Sequence, residues 1–166
     1  MQKTLAILNE LESARLVERH AIGGAMAAYF YAEPVVTEDL DVFVLFQISG
    51  GLVTLTPIYD FLKQRGATEE REHLWLAGTL VQLIPAYDAL TEEAVREAVE
   101  KTVGQAKTRV MRVEHLIAIA LKTGRAKDYA RIALLLEEAD VNQARLQDIL
   151  GRHDLQSRWE KIKLPS

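Results

Sequence analysis

The most constraining feature of this chain is an apolar strand that opens on two aspartates. Asp39-Leu40-Asp41 runs directly into Val42-Phe43-Val44-Leu45-Phe46. Aspartate is disfavoured inside strands, and an Asp-Leu-Asp opening therefore calls for a reason. Alternate strand residues face the same way, roughly 6.6 Å apart along the chain, so both carboxylates can converge on one or two divalent cations. Upstream, Ala21-Ile22 leads into Gly23-Gly24 and then a helix of small residues, Ala25 to Phe30. Paired glycines let backbone come close to a ligand, and the free N–H groups at a helix start favour an anion. Either feature alone also suits an ordinary turn or strand end. Together, with Thr37 in the loop between them, they form a compact layout for phosphate and metal.

The rest of the chain reads as a small mixed sheet with a helical C-terminal third. Leu5, Leu8, Leu11 and Leu16 predict an amphipathic helix over Thr4–Arg19. Pro34 ends the small-residue helix, Leu40–Phe46 is a strand, and Ser49-Gly50-Gly51 is a turn. Thr56-Pro57 opens a helix that runs through Ile58, Phe61 and Leu62 and stops at Gly66. Glu72–Leu76 and Thr79–Ile84 read as two strands around Ala77-Gly78, closed by Pro85. A helix opens at Thr91-Glu92-Glu93, with acids in its first turn. Thr108–Val113 reads as a short edge strand. Helices then follow at Glu114–Lys122, Ala126–Ala139, Asn142–Leu150 and Leu155–Ile162. We expect an α+β chain with a core over residues 1–113 and a helical part over 114–166 packed on it as one compact unit.

Charge divides along the same line. Residues 1–100 carry 7 Lys/Arg against 16 Asp/Glu, whereas residues 101–166 carry 13 against 8. A cationic second half could face phosphates while acids in the first half hold a metal, although a merely solvated basic surface has the same composition. The net charge of −4 argues against a general nucleic-acid binder. With 166 residues, 49% apolar content and no long uncharged apolar run, a cytoplasmic globular protein without a membrane span is expected. Cysteine is absent, so any metal must be held by carboxylate or histidine.

The segments Ile22-Gly23-Gly24-Ala25-Met26-Ala27 and Thr37-Glu38-Asp39-Leu40-Asp41-Val42 resemble the signature of nucleotidyltransferase-fold proteins, particularly small bacterial families grouped with AbiE-type toxin proteins. Glu114-His115-Leu116-Ile117-Ala118 through Gly124-Arg125-Ala126-Lys127-Asp128 resembles the helical motif that follows the catalytic sheet in those families. The resemblance implies that Gly23 and Gly24 contact nucleotide phosphates with Thr37, and that Asp39 and Asp41 bind Mg²⁺ as catalytic carboxylates. It also implies nucleotide-side roles for Arg125 and Asp128, and for Lys122 in place of a family lysine that would fall at Ala120. That two-residue offset turns roughly 200° around a helix. Two further departures stand out. Val35 occupies the place of an arginine, and Gln82 in Leu80-Val81-Gln82-Leu83-Ile84 occupies that of the third carboxylate. That acid serves as base toward the attacking hydroxyl, and an amide cannot replace it usefully.

Three functions follow. One is Mg²⁺-dependent transfer of a nucleotidyl group from an NTP to a hydroxyl on protein, RNA or a small molecule. The second is a nucleotide-binding protein without turnover. The third is an interaction module, such as half of a toxin–antitoxin pair, docking through its C-terminal helices. Elsewhere, His73, His115 and His153 are far apart in sequence without zinc-ligand spacing. His20 reads as a buried hydrogen-bonded residue, Ser49 as turn chemistry, and Trp75 and Trp159 as packing residues. Tyr29 and Tyr31 are candidates for the pocket or the core. The Ile132, Leu135, Leu136, Ala139 stripe is expected to pack on the domain or a partner.

Overall fold

A computed structural model describes residues 1–33, 37, 39–46 and 54–162. Pro34, Val35 and the Ser49-Gly50-Gly51 turn lie outside the described residues. The elements in chain order are α1 (Gln2–Ser13), β1 (Arg19–Ile22), α2 (Gly24–Ala28), β2 (Asp39–Leu45), α3 (Thr56–Lys63), β3 (Thr68–Glu70), β4 (His73–Leu76), β5 (Thr79–Pro85), α4 (Ala89–Arg96), β6 (Val99–Val103), β7 (Ala106–Val110), α5 (Val113–Thr123), α6 (Ala126–Glu138), α7 (Gln143–Arg152) and α8 (Gln156–Trp159). Among the described residues, seven strands form one mixed sheet in the order β3-β4-β5-β2-β1-β7-β6. β2 runs antiparallel to β1 and parallel to β5, and β1 runs parallel to β7. Strand β2 is therefore central, and its Leu40, Val42 and Val44 are fully buried on the face opposite Asp39 and Asp41.

The sheet departs from the sequence reading in three places. Helix α1 stops at Ser13, and Arg19–Ile22 is a strand rather than the end of the helix and its approach to Gly23. Arg15 takes a left-handed φ of 56°, which turns the chain out of the helix. β1 is paired on both sides and buried from His20 to Ile22, so it shows no alternation to read. Second, Ala106–Val110 is not an edge strand. It lies between β1 and β6, and the outer strand is Val99–Val103. Third, β3 extends the other end of the sheet with three exposed residues, Thr68 to Glu70, which carry no apolar signal.

The expected hairpin from Leu76 to Thr79 is present, with Ala77 and Gly78 both at positive φ, 49° and 84°. Both central residues of such a two-residue turn must adopt this conformation, which follows the right-handed twist of the strands. Trp75 is 47% exposed on β4 rather than packed in the core, whereas Trp159 packs half-buried against it. Ile132 and Leu135 of α6 are fully buried, with Leu136 and Ala139 packed beside them.

Glu12 ties α1 to two strands. Its Oε1 accepts from the His20 backbone N–H at 2.9 Å and from Arg109 Nη1 at 2.6 Å. The buried His20 Nδ1 lies 2.8 Å from the same oxygen, a close contact without hydrogen-bond alignment. Burial works against the Glu12 charge, but the contacts from His20 and Arg109 outweigh it and hold its pKa near about 2. A carboxylate depressed in this way stabilises the fold above its ordinary titration range, and that contribution is lost as pH falls toward the folded value. Glu12→Gln is accordingly expected to cost about 1–3 kcal/mol at neutral pH. The difference from the parent should shrink in urea unfolding as pH falls toward about 2. An equal difference across the series would refute the assignment.

Candidate functional site

β2 brings Asp39 and Asp41 to one face of the sheet, and the turn into α2 brings Gly24 against them. Gly23 N–H donates to Asp41 O at 2.9 Å, which fixes that turn to the strand. Gly24 has a φ of 60°, and a Cβ there would stand 1.8 Å from Asp41 Oδ2. At Gly23 a Cβ would fall 2.5 Å from the Phe43 ring. The first glycine thus packs against the strand and the second cradles the carboxylate. Thr37 Oγ1 lies 3.0 Å from Asp39 Oδ1 and 3.3 Å from its carbonyl, so it orients Asp39. His73 Nε2, on the next strand but one, stands 3.5 Å from Asp39 Oδ2.

These groups open into a cleft of about 1070 Å³ between the sheet and α4, α5 and α6. Gly24, Thr37, Asp39, Asp41, Lys122, Arg125 and Asp128 all line it, whereas Gly23 does not and packs instead against Phe43 and Met111. Lys122, two residues from the family position, still reaches the cleft and pairs with Asp88 Oδ2 at 3.1 Å. Asp88 caps α4 by accepting from Thr91 N–H at 3.0 Å. Burial opposes the Asp88 charge, but the Thr91 N–H and Lys122 outweigh it and leave its pKa below the ordinary value.

Asp128 is 1% exposed and its oxygens are taken up locally. Oδ2 accepts from Arg125 Nε at 2.8 Å and from the Arg125 backbone N–H at 3.2 Å, and Oδ1 stands 3.4 Å from Arg131 Nη1. These contacts hold its pKa down against the cost of burial. Its place in the site is to fix two arginines at the head of α6, not to offer a free carboxylate. Helix-start electrostatics and a place in the cleft are therefore the same fact for this residue.

Burial and the neighbouring Asp39 charge push the Asp41 pKa up, while Arg131, Lys127 and Arg125 pull the other way. Two carboxylates of like charge thus share the cleft with Lys122, Arg125, Lys127 and Arg131. The pair has room and reason for a cation: two oxygen donors from alternate strand positions, a raised carboxylate, and a glycine cradle that a side chain would fill. A divalent, oxygen-seeking ion such as Mg²⁺ fits that donor set. Gln82 lies opposite Asp41 in the parallel β2–β5 register and lines the same cleft. Strand pairing therefore sets an amide, not a carboxylate, beside Asp41.

Sequence reasoning missed Arg131, Tyr87, Asp88 and His73. Arg131 falls one turn after Lys127 on α6, so helical spacing from Lys127 could have found it. Tyr87 and Asp88 follow β5 at the mouth of the cleft, and Tyr87 is 81% exposed. His73 became visible only once β4 was placed two strands from Asp39. Tyr29 and Tyr31 do not line the cleft. Tyr29 is exposed, and Tyr31 donates to Met111 O at 2.9 Å. His115 and His153, far apart in sequence, meet on one carboxylate, Glu93. No helix among the described residues is long and apolar enough to cross a membrane.

No protein family and no curated protein matches the chain. Solved structures do. The crystal structure of ANT(2")-Ia in complex with adenylyl-2"-tobramycin superposes with a TM-score of 0.54 at 16% identity, covering 95% of each chain. The solution structure of the antibiotic-resistance factor ANT(2'')-Ia gives 0.53 at 15% identity, over 96% of this chain and 95% of that one. The crystal structure of an antigenic nucleotidyltransferase-like protein from Paracoccidioides brasiliensis gives 0.55 at 16% identity, over 95% and 90%. With its mixed seven-stranded sheet and eight helices among the described residues, this chain has the nucleotidyltransferase fold.

Proposed function

We propose that the cleft binds a nucleoside triphosphate together with Mg²⁺, and that transfer of the nucleotidyl group is impaired by Gln82. The observation that carries this reading is the Asp41 carboxylate seated on Gly24, with Asp39 on the same face and Lys122, Arg125, Lys127 and Arg131 lining the cleft. Asp39 and Asp41 hold the cation, with Thr37 keeping Asp39 in place. When bound, Mg²⁺ supplies charge neutralisation at the triphosphate oxygens. The four bases complement the phosphates, with Asp128 holding Arg125 and Arg131 in position. Gly23 and Gly24 allow the backbone close to them. Residues 114–166 contribute to this cleft as part of the same unit as residues 1–113.

In transfer, an acceptor oxygen bonds to the α-phosphorus, pyrophosphate leaves, and the hydroxyl proton must go to a base. Gln82 stands where that base would be and cannot take the proton. Orientation and charge compensation alone leave a slow reaction at best. Protein, RNA or a small hydroxyl compound are the acceptor classes to test. An amino sugar belongs among them because one structural neighbour carries an adenylylated one. A kinship with AbiE-type toxin proteins would place the same cleft in a two-protein pair, which capture of a stoichiometric partner from the host would test.

The experiment is thermal unfolding with each NTP, with and without Mg²⁺, beside label transfer from α-labelled NTP. A ligand selective for the folded state must raise the unfolding temperature. We expect a Mg²⁺-dependent shift with at least one NTP and little or no transfer. Absence of a shift with all four NTPs would end the proposal. Gln82→Asp, with the isosteric Gln82→Glu beside it, is expected to raise transfer by about 10²–10⁴-fold, the usual worth of a general base. Rapid transfer by the parent, unaffected by either substitution, would show that Gln82 is no impediment.

A further inference from the structure

We propose that Glu93, Glu97, His115 and His153 form a second, independent site for a divalent transition-metal ion such as Zn²⁺, which clamps α7 onto α4 and α5. One ligand atom each from Glu93, Glu97 and His115 lie within 4.8 Å of one another. His115 Nε2 stands 2.9 Å from Glu93 Oε1, and His153 Nε2 stands 2.9 Å from Glu93 Oε2. Three side chains therefore converge, Glu93 within α4 and Glu97 just past its end, four residues apart and hence on one face, and His115 on the first turn of α5, while His153 at the end of α7 contacts Glu93. Two imidazoles and two carboxylates make a donor set suited to zinc in a chain that has no cysteine.

A tetrahedral zinc site with ligands at 2.0–2.1 Å requires neighbouring donors about 3.3 Å apart. The two histidine contacts to Glu93, at 2.9 Å, are already near that spacing, and the Glu97 oxygen, within 4.8 Å of the Glu93 and His115 donors, can close on them by rotation of its carboxylate. The alternative claimants on the acids are two arginines. Arg152 pairs with Glu93, and Arg145 Nη1 stands 3.3 Å from Glu97 Oε2. Both are half-exposed, long side chains, and Arg152 keeps a second partner in Asp148 at 2.9 Å if it yields Glu93. His115 is fully buried, and its Nε2 is already directed at Glu93. The site lies outside the set of residues that line the cleft, although it shares α4 with Asp88 and Thr91 at the cleft wall.

The test uses the full chain freed of metal by chelation, without nucleotide, titrated calorimetrically with ZnCl₂ and separately with MgCl₂. One equivalent of Zn²⁺ is expected to bind and to raise the unfolding temperature, with no effect of Mg²⁺ at the same concentration. His115 is buried and its variants are prone to misfold, so His153→Gln and Glu97→Gln are the informative changes. Each should weaken zinc binding by about tenfold or more, while Asp41→Asn, in the cleft, leaves it unchanged. Co²⁺ titration should give the visible absorption of a low-coordinate nitrogen–oxygen site in the parent and not in His153→Gln. Failure of Zn²⁺ to bind, or binding that survives both substitutions unchanged, overturns the proposal.

Discussion

Gly24→Ala is expected to remove the Mg²⁺-dependent nucleotide stabilisation and to cost the ligand-free fold about 2–4 kcal/mol. Two effects combine. An L-residue at a φ of 60° pays about 1–2 kcal/mol of backbone strain. Its Cβ would also stand 1.8 Å from Asp41 Oδ2, 2.7 Å from Cγ and 3.0 Å from Cβ. Contact with the whole carboxyl group cannot be relieved by the swing of one terminal atom. Either Asp41 leaves its place or the turn retreats, and overpacking of this kind typically adds about 1–3 kcal/mol. Binding suffers more than folding, because a displaced Asp41 no longer converges with Asp39. Affinity for the Mg²⁺–nucleotide complex should fall about 100-fold or more, roughly 2.7 kcal/mol.

The control is Gly78→Ala, at a φ of 84° with nothing within 4 Å of its Cβ. It carries strain without collision, and should cost about 1–2 kcal/mol while leaving nucleotide binding intact. Thermal unfolding of both variants with and without nucleotide decides the matter. A Gly24→Ala protein that keeps the parent's nucleotide shift would mean that the cradle has no part in binding.

The reach of the sequence can be judged from the same residues. Strand β2 was legible because Asp-Leu-Asp interrupts a run whose apolar residues otherwise dictate a buried strand. The consequence, two carboxylates on one face, follows from the period of two alone. Gln82 was singled out by the apolar context of its strand, and its position beside Asp41 came only with the strand register. The helical third was read closely because α5, α6 and α7 carry wide apolar stripes bounded by caps, such as Gly124 at a φ of 71° closing α5.

What could not be read has a common cause. β1 is buried by neighbours on both sides, β3 is exposed on every residue, and β6 alternates only half-buried positions with exposed ones. In each the apolar alternation that betrays a strand is absent or weak, and tertiary pairing alone sets the structure. The convergence of His115 and His153 on Glu93 spans up to 60 residues of sequence and three helical segments. Spacing rules for metal ligands work within one turn or hairpin and have no purchase at that range. The same holds for Arg131, whose significance depends on Asp41 facing it across the cleft.

Asp41→Asn should make the ligand-free protein more stable and the site useless. The Asp41 carboxylate is partly buried beside Asp39, and burial and that like charge together raise its pKa, with the arginines and Lys127 only partly offsetting them. A carboxylic acid with a raised folded pKa is bound more tightly by its proton in the native state. Its ionisation therefore opposes folding, and the opposition grows as pH rises above the ordinary carboxylate range. Asparagine has the same shape, carries no charge, and can donate its amide hydrogen toward Asp39. The ligand-free protein should gain about 0.5–2 kcal/mol at neutral pH. That gain should fade in acid, where Asp41 itself is protonated. At the same time the loss of one anionic donor should weaken Mg²⁺–nucleotide binding by about 100-fold or more, several kcal/mol of charge compensation. Opposite signs in one variant are what distinguish a functional carboxylate from a structural one, because a residue kept for the fold loses stability when it is replaced. Urea unfolding across a pH series, with and without nucleotide, reads both quantities. A variant that is less stable at neutral pH yet still responds to Mg²⁺–nucleotide would place Asp41 in the architecture of the sheet and not in its chemistry.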